Sequence, residues 1–234
     1  MVRSDAVMVI LARGGSKGIP GKNLRTISDR SLLQWSVEAA VDSESIGRII
    51  VSSDCPRIIE EAVRLGAETH RRSIVNSGDD STSEEALLEV LTAFNLEQGM
   101  CLLRQCTTPF VSADDLSNGV ELLSNNQGAT VVSGYVESPH HWFWPPDKLE
   151  ISPLLNSHML RYPRQQESNR VFVENGGFYG FYIETFLELK NRFGPRVIPV
   201  EMPKSKSVDI DYNMDLIIAE LVARDLELES EDSN

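Results

Sequence analysis

The sequence has few cysteines and little basic charge. Its three cysteines, Cys55, Cys101 and Cys106, match no common zinc spacing, and an odd number cannot form a complete disulfide framework. We therefore expect free thiols and a reducing, cytoplasmic setting. The formal net charge of −13 argues against nucleic acid or an anionic membrane as a partner, because both attract basic surfaces.

The N-terminal region also lacks a long apolar run. Residues 6–12 are apolar, but a membrane-spanning helix needs about 20 such residues. Asp5 lies among the first charges, and no small-residue cleavage motif follows the run, so we expect no secretory signal.

Short apolar runs alternate with amphipathic segments along the 234 residues. The pattern predicts strands at 6–12, 48–53, 100–105, 129–136, 178–183 and 196–200, and helices at 31–41, 56–65, 83–96, 112–125, 184–191 and 214–226. This alternation is typical of an α/β fold with a mostly parallel, Rossmann-like sheet and helices on both faces. The length favours a single domain over residues 1–234.

Residues 137–169 break this alternation. Prolines cluster there among the aromatic residues Trp142, Phe143, Trp144 and Tyr162. A linker does not carry so much apolar ring surface, so we interpret the segment as an excursion from the sheet that is buried against a partner subunit. The alternative is a loop that folds back on its own domain.

A glycine-rich basic loop follows the first predicted strand. Residues 13–23 read RGGSKGIPGKN, and such loops turn backbone N–H groups and lysine side chains toward phosphates. The loop is not a P-loop, because Ser16 replaces its first glycine and Asn23 follows Gly21-Lys22; it also contains no G-x-G. The motif alone indicates some phosphate ligand, and a solvated surface loop is the alternative.

Two aspartates alternate with apolar residues near the C-terminal helix. Asp209 and Asp211 lie in the stretch SVDID, residues 207–211. In an extended segment both carboxylates point to the same side, and paired hard oxygen ligands suit Mg²⁺. A helix-capping aspartate with a chance neighbour is the alternative.

Two polar segments complete the set of candidate motifs. Residues 105–109, QCTTP, follow a predicted strand at the edge where open α/β sheets bind ligands. Residues 175–179, NGGFY, are predicted to form a tight turn that leads into a strand. An ordinary turn and an ordinary hairpin are the respective alternatives.

Taken together, these segments resemble the CMP-sialic acid synthetases. That family carries the motifs A-R-x-x-S-K-G-x-P-x-K-N, L-L-Q-P-T-S-P, R-Q-Q, N-G-x-x-Y and S-[IV]-D-I-D. The matching stretches here are 12–23, 103–109, 164–166, 175–179 and 207–211, in the same order. The chain departs from the pattern at Arg104, which is inserted after the leucines, and at Cys106, which replaces a proline. The resemblance covers nearly the whole chain.

The resemblance implies a nucleotide-diphospho-sugar transferase-like fold with a dimerisation arm at about 137–169 and a homodimer. It implies transfer of CMP from CTP to the anomeric hydroxyl of a sialic-type nine-carbon keto-sugar acid (a nonulosonic acid), with release of pyrophosphate. A cytidylyltransferase for legionaminic, pseudaminic or octulosonic acid is one alternative. A non-catalytic nucleotide-binding regulatory protein is another.

The resemblance also implies roles for individual residues. The nucleotide site would comprise Ala12, Arg13, Gly14, Gly15, Ser16, Lys22, Asn23, Arg72 and Thr82. The sugar-acid site would comprise Gln105, Arg164, Gln166, Tyr179 and Phe193. Asp209 and Asp211 would bind Mg²⁺. Arg13 and Lys22 are the expected catalytic cations, because they would stabilise the charge of the departing pyrophosphate. Asp211 is the third expected catalytic residue and a candidate base.

Overall fold

The computed structural model of the chain describes residues 6–16, 18–78, 80–137 and 170–232, with residues 227–232 described by their backbone alone. Its strands are β1 (Ala6–Leu11), β2 (Thr26–Ile27), β3 (Arg30–Ser31), β4 (Ile46–Ser53), β5 (Glu68–Arg71), β6 (Met100–Arg104), β7 (Thr130–Glu137), β8 (Val171–Tyr182) and β9 (Val197–Glu201). Its helices are α1 (Leu32–Asp42), α2 (Pro56–Arg64), α3 (Ser83–Ala93), α4 (Ala113–Ser124), α5 (Ile183–Leu189) and α6 (Asn213–Asp232).

Seven strands form one sheet in the order β5-β4-β1-β6-β8-β7-β9. The pairs β4–β5, β1–β4, β1–β6 and β7–β9 are parallel, whereas β8 runs antiparallel to both β6 and β7. The mostly parallel α/β architecture is therefore confirmed. Among the described residues, no helix has both the length and the apolar character needed to cross a membrane.

The sheet is buried on both faces by different helices. In β1, Met8 and Ile10 pack in the cluster formed with α1, α2, α4 and α6, while Val7 and Val9 pack in the cluster formed with α3 and α5. This double burial explains why β1 reads as a continuous apolar run rather than an alternating one. The prediction of helices on both faces is confirmed.

The strands differ from the sequence prediction in two ways: three strands were not predicted, and β8 begins earlier than expected. β2 and β3 were not predicted, because they have only two residues each. β5 was not predicted, because its residues ETHR contain no apolar side chain and therefore give no periodic signal. The predicted tight turn at 175–179 is wrong, since these residues lie inside β8, which begins at Val171 rather than at 178.

The reason for the second difference is a bulge. Between the pairs Val132↔Tyr179 and Gly134↔Glu174, residues 175–178 of β8 face the single residue Ser133 of β7. Gly176 has φ +68°, which an L side chain rarely adopts, so glycine there permits the bulge. We call residues 175–178 the β8 bulge. β7 extends to Glu137, the first residue of the predicted arm, and the rest of that arm lies outside the described residues.

Close packing of α4 on the sheet yields a stability prediction. A Cβ at Gly119 would lie 2.6 Å from Cε2 and 2.9 Å from Cζ of the buried Phe178 ring. We expect Gly119→Ala to lower the free energy of unfolding by about 1–2 kcal/mol, because overpacking at an approach this close costs about 2–3 kcal/mol and alanine returns about 1 kcal/mol of helix propensity. Urea unfolding measures this free energy, with Ser124→Ala on the same helix as the control. A Gly119→Ala variant as stable as the wild type, or more stable, would contradict the prediction.

Candidate active site

A cavity of about 490 Å³ opens at the carboxyl ends of β1 and β6, the edge where open α/β sheets bind ligands. Its walls come from four segments: the glycine-rich loop after β1, the loop before α3, the turn of residues 105–109 after β6, and residues 207–211 before α6. We call these last two the 105–109 turn and the carboxylate segment. The volume is in the range of small-molecule sites.

The glycine-rich loop and the carboxylate segment meet directly at Lys22. Its Nζ donates hydrogen bonds to the Ile210 carbonyl oxygen at 2.7 Å and to Asp211 Oδ1 at 2.9 Å. Gly18 passes so close that a Cβ there would lie 2.4 Å from the Asp211 carbonyl oxygen. Two segments at opposite ends of the chain thus form one wall of the cavity.

The loop is shaped by contacts with the protein on both sides. The buried Asn23 donates from Nδ2 to the Arg13 carbonyl oxygen at 3.0 Å, and the Gly14 N–H donates to Asp54 Oδ1 at 2.7 Å. Arg13 donates from Nη1 to the Gly78 carbonyl oxygen at 3.4 Å, in the loop before α3. These bonds orient the Arg13 side chain along the cavity wall.

Three cationic side chains line the described part of the cavity: Arg13, Lys22 and Arg72. The buried Arg72 donates from Nη2 to the Ser52 carbonyl oxygen at 2.8 Å and from Nε to Ser52 Oγ at 3.2 Å. Burial lowers the pKa of Arg72, whereas the charges of Asp54 and Glu89 oppose that shift. The arrangement offers positive charge to a polyanion such as a triphosphate.

Thr82 begins α3 and borders the cavity. Its Oγ1 accepts a hydrogen bond from the Glu85 N–H at 3.2 Å, and Glu85 Oε2 accepts from the Thr82 N–H at 2.8 Å, a reciprocal capping box. Ser81 and Ser83 line the same wall. The start of α3 therefore presents hydroxyl groups and the positive end of the helix dipole to the cavity.

Asp209 and Asp211 both face the cavity, and their segment is fixed by backbone contacts. The Ile210 N–H donates to the Thr107 carbonyl oxygen at 2.9 Å, and Asp215 Oδ2 accepts from the N–H groups of Asp211 at 2.9 Å and Tyr212 at 2.7 Å. Partial desolvation raises the pKa of Asp209, as does the neighbouring Asp211 charge, while a hydrogen bond with Thr107 and the charge of Lys22 act in the opposite direction.

The pair supplies oxygen ligands of the kind that Mg²⁺ prefers. Within the described residues, no group of three His, Cys, Asp or Glu side chains could bind a metal ion. A pair suits Mg²⁺ nonetheless, because this ion commonly takes one or two carboxylates together with substrate phosphates and water. The residues present therefore fit a phosphate-bound cation.

The expected sugar-acid residues separate into two groups. Gln105 lines the cavity. Tyr179 is buried beneath α3, with its ring edge-on to Phe193 at 5.7 Å between centroids. The guanidinium of Arg192 lies 4.8 Å from the Tyr179 ring centroid and pairs with Glu84 at 2.6 and 3.1 Å.

Tyr179 and Phe193 are therefore together but outside the cavity lining. Sequence reasoning missed Arg192, because its partner lies on a distant helix. Arg164 and Gln166 lie outside the described residues.

The nucleotide residues show a similar division. Arg13, Ser16, Lys22, Asn23, Arg72 and Thr82 line the cavity. Ala12, Gly14 and Gly15 do not; Ala12 is buried, and its N–H donates to the Ser52 carbonyl oxygen at 3.0 Å. Their assignment to the nucleotide stays a prediction.

Sequence reasoning missed the lining residues Asn76, Gly78, Ser81 and Ser83. Asn76, Gly78 and Ser81 belong to the loop that connects β5 to α3, and Ser83 is the first residue of α3. Without a predicted β5, only the family resemblance, through Arg72 and Thr82, related this loop to the ligand site. The polar composition of the loop, rich in Ser and Asp, was the available signal.

The sequence is similar to proteins of known activity. A family model described as cytidylyltransferase matches residues 7–179. N-acylneuraminate cytidylyltransferase of Oncorhynchus mykiss is 35% identical over 216 residues, which cover 91% of this chain and 49% of that protein. Pseudaminic acid cytidylyltransferase of Campylobacter jejuni is 28% identical over 221 residues, covering 92% of this chain and 94% of that protein.

A solved structure is also similar to this chain. It is a CMP:2-keto-3-deoxy-manno-octonic acid synthetase complexed with CTP, with a TM-score of 0.67 and 19% identity over 95% of this chain and 100% of that chain. At this identity the likeness shows the fold. The chain spans about half the length of the N-acylneuraminate cytidylyltransferase it matches.

The close approach at Gly18 gives a prediction for the nucleotide loop. We expect Gly18→Ala to weaken CTP binding and to lower the melting temperature, because the added Cβ would displace the Asp211 backbone. Gly15→Ala is the matched control for stability, since a Cβ at Gly15 meets nothing within 4 Å. Calorimetric titration with CTP and thermal unfolding measure both effects. If Gly18→Ala binds CTP and unfolds at the same temperature as the wild type, the two segments do not meet at this point.

A second prediction concerns His70, which lies below the cavity. Its Nδ1 is 3.0 Å from Ser52 Oγ, the atom that also contacts Arg72, and its Nε2 is 3.8 Å from Glu89. Burial lowers the pKa of His70, with Arg72 contributing in the same direction and Glu89 against it. The folded protein therefore favours the neutral ring.

Below the usual histidine pKa of about 6.5, the unfolded chain binds this proton more readily, so stability should fall as the pH falls. We expect the free energy of unfolding to drop more for the wild type than for His70→Asn between about pH 7.5 and about pH 5.5. Urea unfolding at both pH values tests this. An equal drop would mean that His70 does not titrate differently in the two states.

Proposed function

Since this chain belongs to the cytidylyltransferase family, we propose that it transfers CMP from CTP to the anomeric hydroxyl of a sialic-type nine-carbon keto-sugar acid, releasing pyrophosphate. The observation that carries the proposal is the convergence of the glycine-rich loop and the carboxylate pair on one cavity, joined at Lys22. Cations for a triphosphate and carboxylates for its metal ion lie within one small-molecule site.

The cationic side chains would bind and stabilise the phosphates. Arg13 and Lys22 reach the cavity from the two ends of the glycine-rich loop and Arg72 from the loop before α3, so they can surround a triphosphate. As pyrophosphate departs, its negative charge grows, and preorganised cations stabilise that charge without rearrangement. Arg72 is already oriented by Ser52, which lowers the conformational cost of binding.

Asp209 and Asp211 would bind Mg²⁺, the cofactor that we propose for this site. When bound, the ion would neutralise phosphate charge and orient the triphosphate. Lys22 donates to Asp211 Oδ1, and its charge partly offsets the desolvation that raises the pKa of Asp209.

The acceptor hydroxyl must reach the α-phosphate in line and lose its proton. We place the sugar acid beside Gln105, at the carboxyl end of β6, with Tyr179 and Phe193 further along the same side of the sheet. Positioning of the two reactants would supply much of the acceleration. Asp211 is our candidate for the proton acceptor, because its carboxylate faces the same cavity.

Pseudaminic acid is the second candidate acceptor. The relative that acts on it aligns over nearly its whole length, whereas the N-acylneuraminate enzyme aligns over about half. Legionaminic and octulosonic acids belong to the same test. A regulatory nucleotide-binding protein is disfavoured, because Arg13, Lys22, Asp209 and Asp211 all face one cavity. The homodimer, the arm, the single-domain assignment and a cytoplasmic location remain part of the proposal.

The decisive experiment measures pyrophosphate release from CTP, ATP, GTP and UTP with a panel of nonulosonic and octulosonic acids, with and without Mg²⁺. We expect release that requires CTP, Mg²⁺ and one nine-carbon acid. Asp211→Ala should abolish it with little effect on the melting temperature, while Asp225→Ala, exposed on α6, should not.

Three results would contradict the proposal. Near-normal turnover of Asp211→Ala would refute its catalytic role. Turnover that persists after removal of Mg²⁺ would refute the cofactor. Binding of CTP without turnover of any acid would favour the regulatory nucleotide-binding protein.

A further inference from the structure

The β8 bulge has no role in the proposed function, yet it makes an unusual number of polar contacts. Asn175 at its start is only 5% exposed. Its Oδ1 accepts from the Gly177 N–H at 3.0 Å and from Ser133 Oγ at 2.7 Å, so one side of the amide fixes the bulge itself. A buried amide with satisfied partners has a fixed orientation.

The other side of the amide points out of the bulge toward the carboxylate segment. Asn175 Nδ2 donates to Ser207 Oγ at 2.9 Å, and Ser207 Oγ donates to the Pro203 carbonyl oxygen at 3.1 Å. Ser207 is the first residue of the segment that carries Asp209 and Asp211. Neither Asn175 nor Ser207 is among the residues that line the cavity.

The same bulge also fixes the 105–109 turn. Thr108 Oγ1 donates to the Asn175 carbonyl oxygen at 2.7 Å. This turn contacts the carboxylate segment, because the Ile210 N–H donates to the Thr107 carbonyl oxygen at 2.9 Å. Asn175 is therefore connected to the carboxylate segment by two routes, one direct and one through the turn.

Arg104 stiffens the junction between turn and bulge. It is fully buried, and its guanidinium donates to the carbonyl oxygens of Gly177, Thr108 and Pro109, each at 3.3 Å. Within the described residues, its Nε has no hydrogen-bond partner. Burial of such a charge costs stability, so its placement indicates that geometry is favoured over stability at this junction.

We propose that Asn175 and Ser207 are positioning residues that set the separation and orientation of the Asp209 and Asp211 carboxylates for the metal–CTP complex. The inference rests on the proposed function for the identity of the ligand. The Asn175–Ser207 hydrogen bond acts on the carboxylates through the backbone of residues 207–211. Groups that orient metal ligands from outside the site typically change metal affinity or activity by about 10–100-fold when removed.

The test compares Ser207→Ala with Ser207→Thr, which keeps the hydroxyl. Mn²⁺ serves as the metal probe, and its affinity in the presence of CTP is measured by water-proton relaxation. We expect Ser207→Ala to weaken Mn²⁺ binding about 10-fold and Ser207→Thr to restore most of it. CTP affinity without metal should stay unchanged, because Ser207 does not line the cavity. Ser124→Ala, an exposed serine on α4, is the control for loss of a hydroxyl.

A second set of variants tests whether Ser207 acts through Asn175. We expect Asn175→Ala to add little to the loss of Mn²⁺ affinity already caused by Ser207→Ala, since both remove the same hydrogen bond. If Asn175→Ala does not fold, the Ser207 variants decide alone. The Mg²⁺ concentration for half-maximal pyrophosphate release should rise in parallel with the loss of Mn²⁺ affinity.

Two results would overturn the proposal. In the first, Ser207→Ala binds Mn²⁺ in the presence of CTP as tightly as the wild type. In the second, it loses metal affinity, metal-free CTP affinity and thermal stability together, which indicates a purely structural residue. Failure of the proposed function looks different: no acid is turned over by the wild type, although the Mn²⁺ affinities of the variants still follow the expected order.

Discussion

The cavity depends on one ammonium group. Lys22 Nζ contacts the Ile210 carbonyl oxygen and the Asp211 carboxylate, and its side chain is only 14% exposed, against 61% for Asp211. Without this cation, Asp211 would lose its ion pair, and the glycine-rich loop would lose a contact with the carboxylate segment that precedes α6. The ion pair therefore joins two segments that lie 189 residues apart in the sequence.

The sheet brings these ends together through its strand order. β1 and β6 are parallel neighbours, so the glycine-rich loop and the 105–109 turn leave the sheet side by side. The antiparallel β8 is the next strand in the sheet after β6. Its bulge lies next to the 105–109 turn, because Phe178 of the bulge pairs with Arg104, the residue just before the turn. The reversal of direction at β8 therefore lets the bulge contact both the turn and the carboxylate segment at the same edge of the sheet.

Sequence reasoning predicted the parts of this arrangement that leave local or compositional signals. The apolar run of β1 and the glycine loop after it were visible directly, and alternation with helices indicated the sheet. The Asp209–Asp211 pair was visible as an alternation in an extended stretch, and the family resemblance related it to the distant loop. Its contact with Lys22 at 2.9 Å is a tertiary feature that only the structure provides.

The features that escaped prediction are those in which tertiary contacts outweigh local preference. The stretch Asn175-Gly176-Gly177 has the composition of a turn, yet pairing of β8 with two neighbouring strands extends the strand through it and leaves a bulge. Glycine is needed at Gly176 in either case, so composition alone could not distinguish the two.

The same reasoning applies to the buried polar groups near the bulge. A fully buried arginine bonded only to carbonyl oxygens is a poor contributor to stability compared with an apolar side chain of similar volume. Its value lies in geometry, because three carbonyl groups from two segments must keep fixed positions to satisfy one planar guanidinium. Asn175 and Ser207 extend this rigidity to the carboxylate segment. At the proposed Mg²⁺ site, such rigidity would keep two like-charged carboxylates oriented toward one cation.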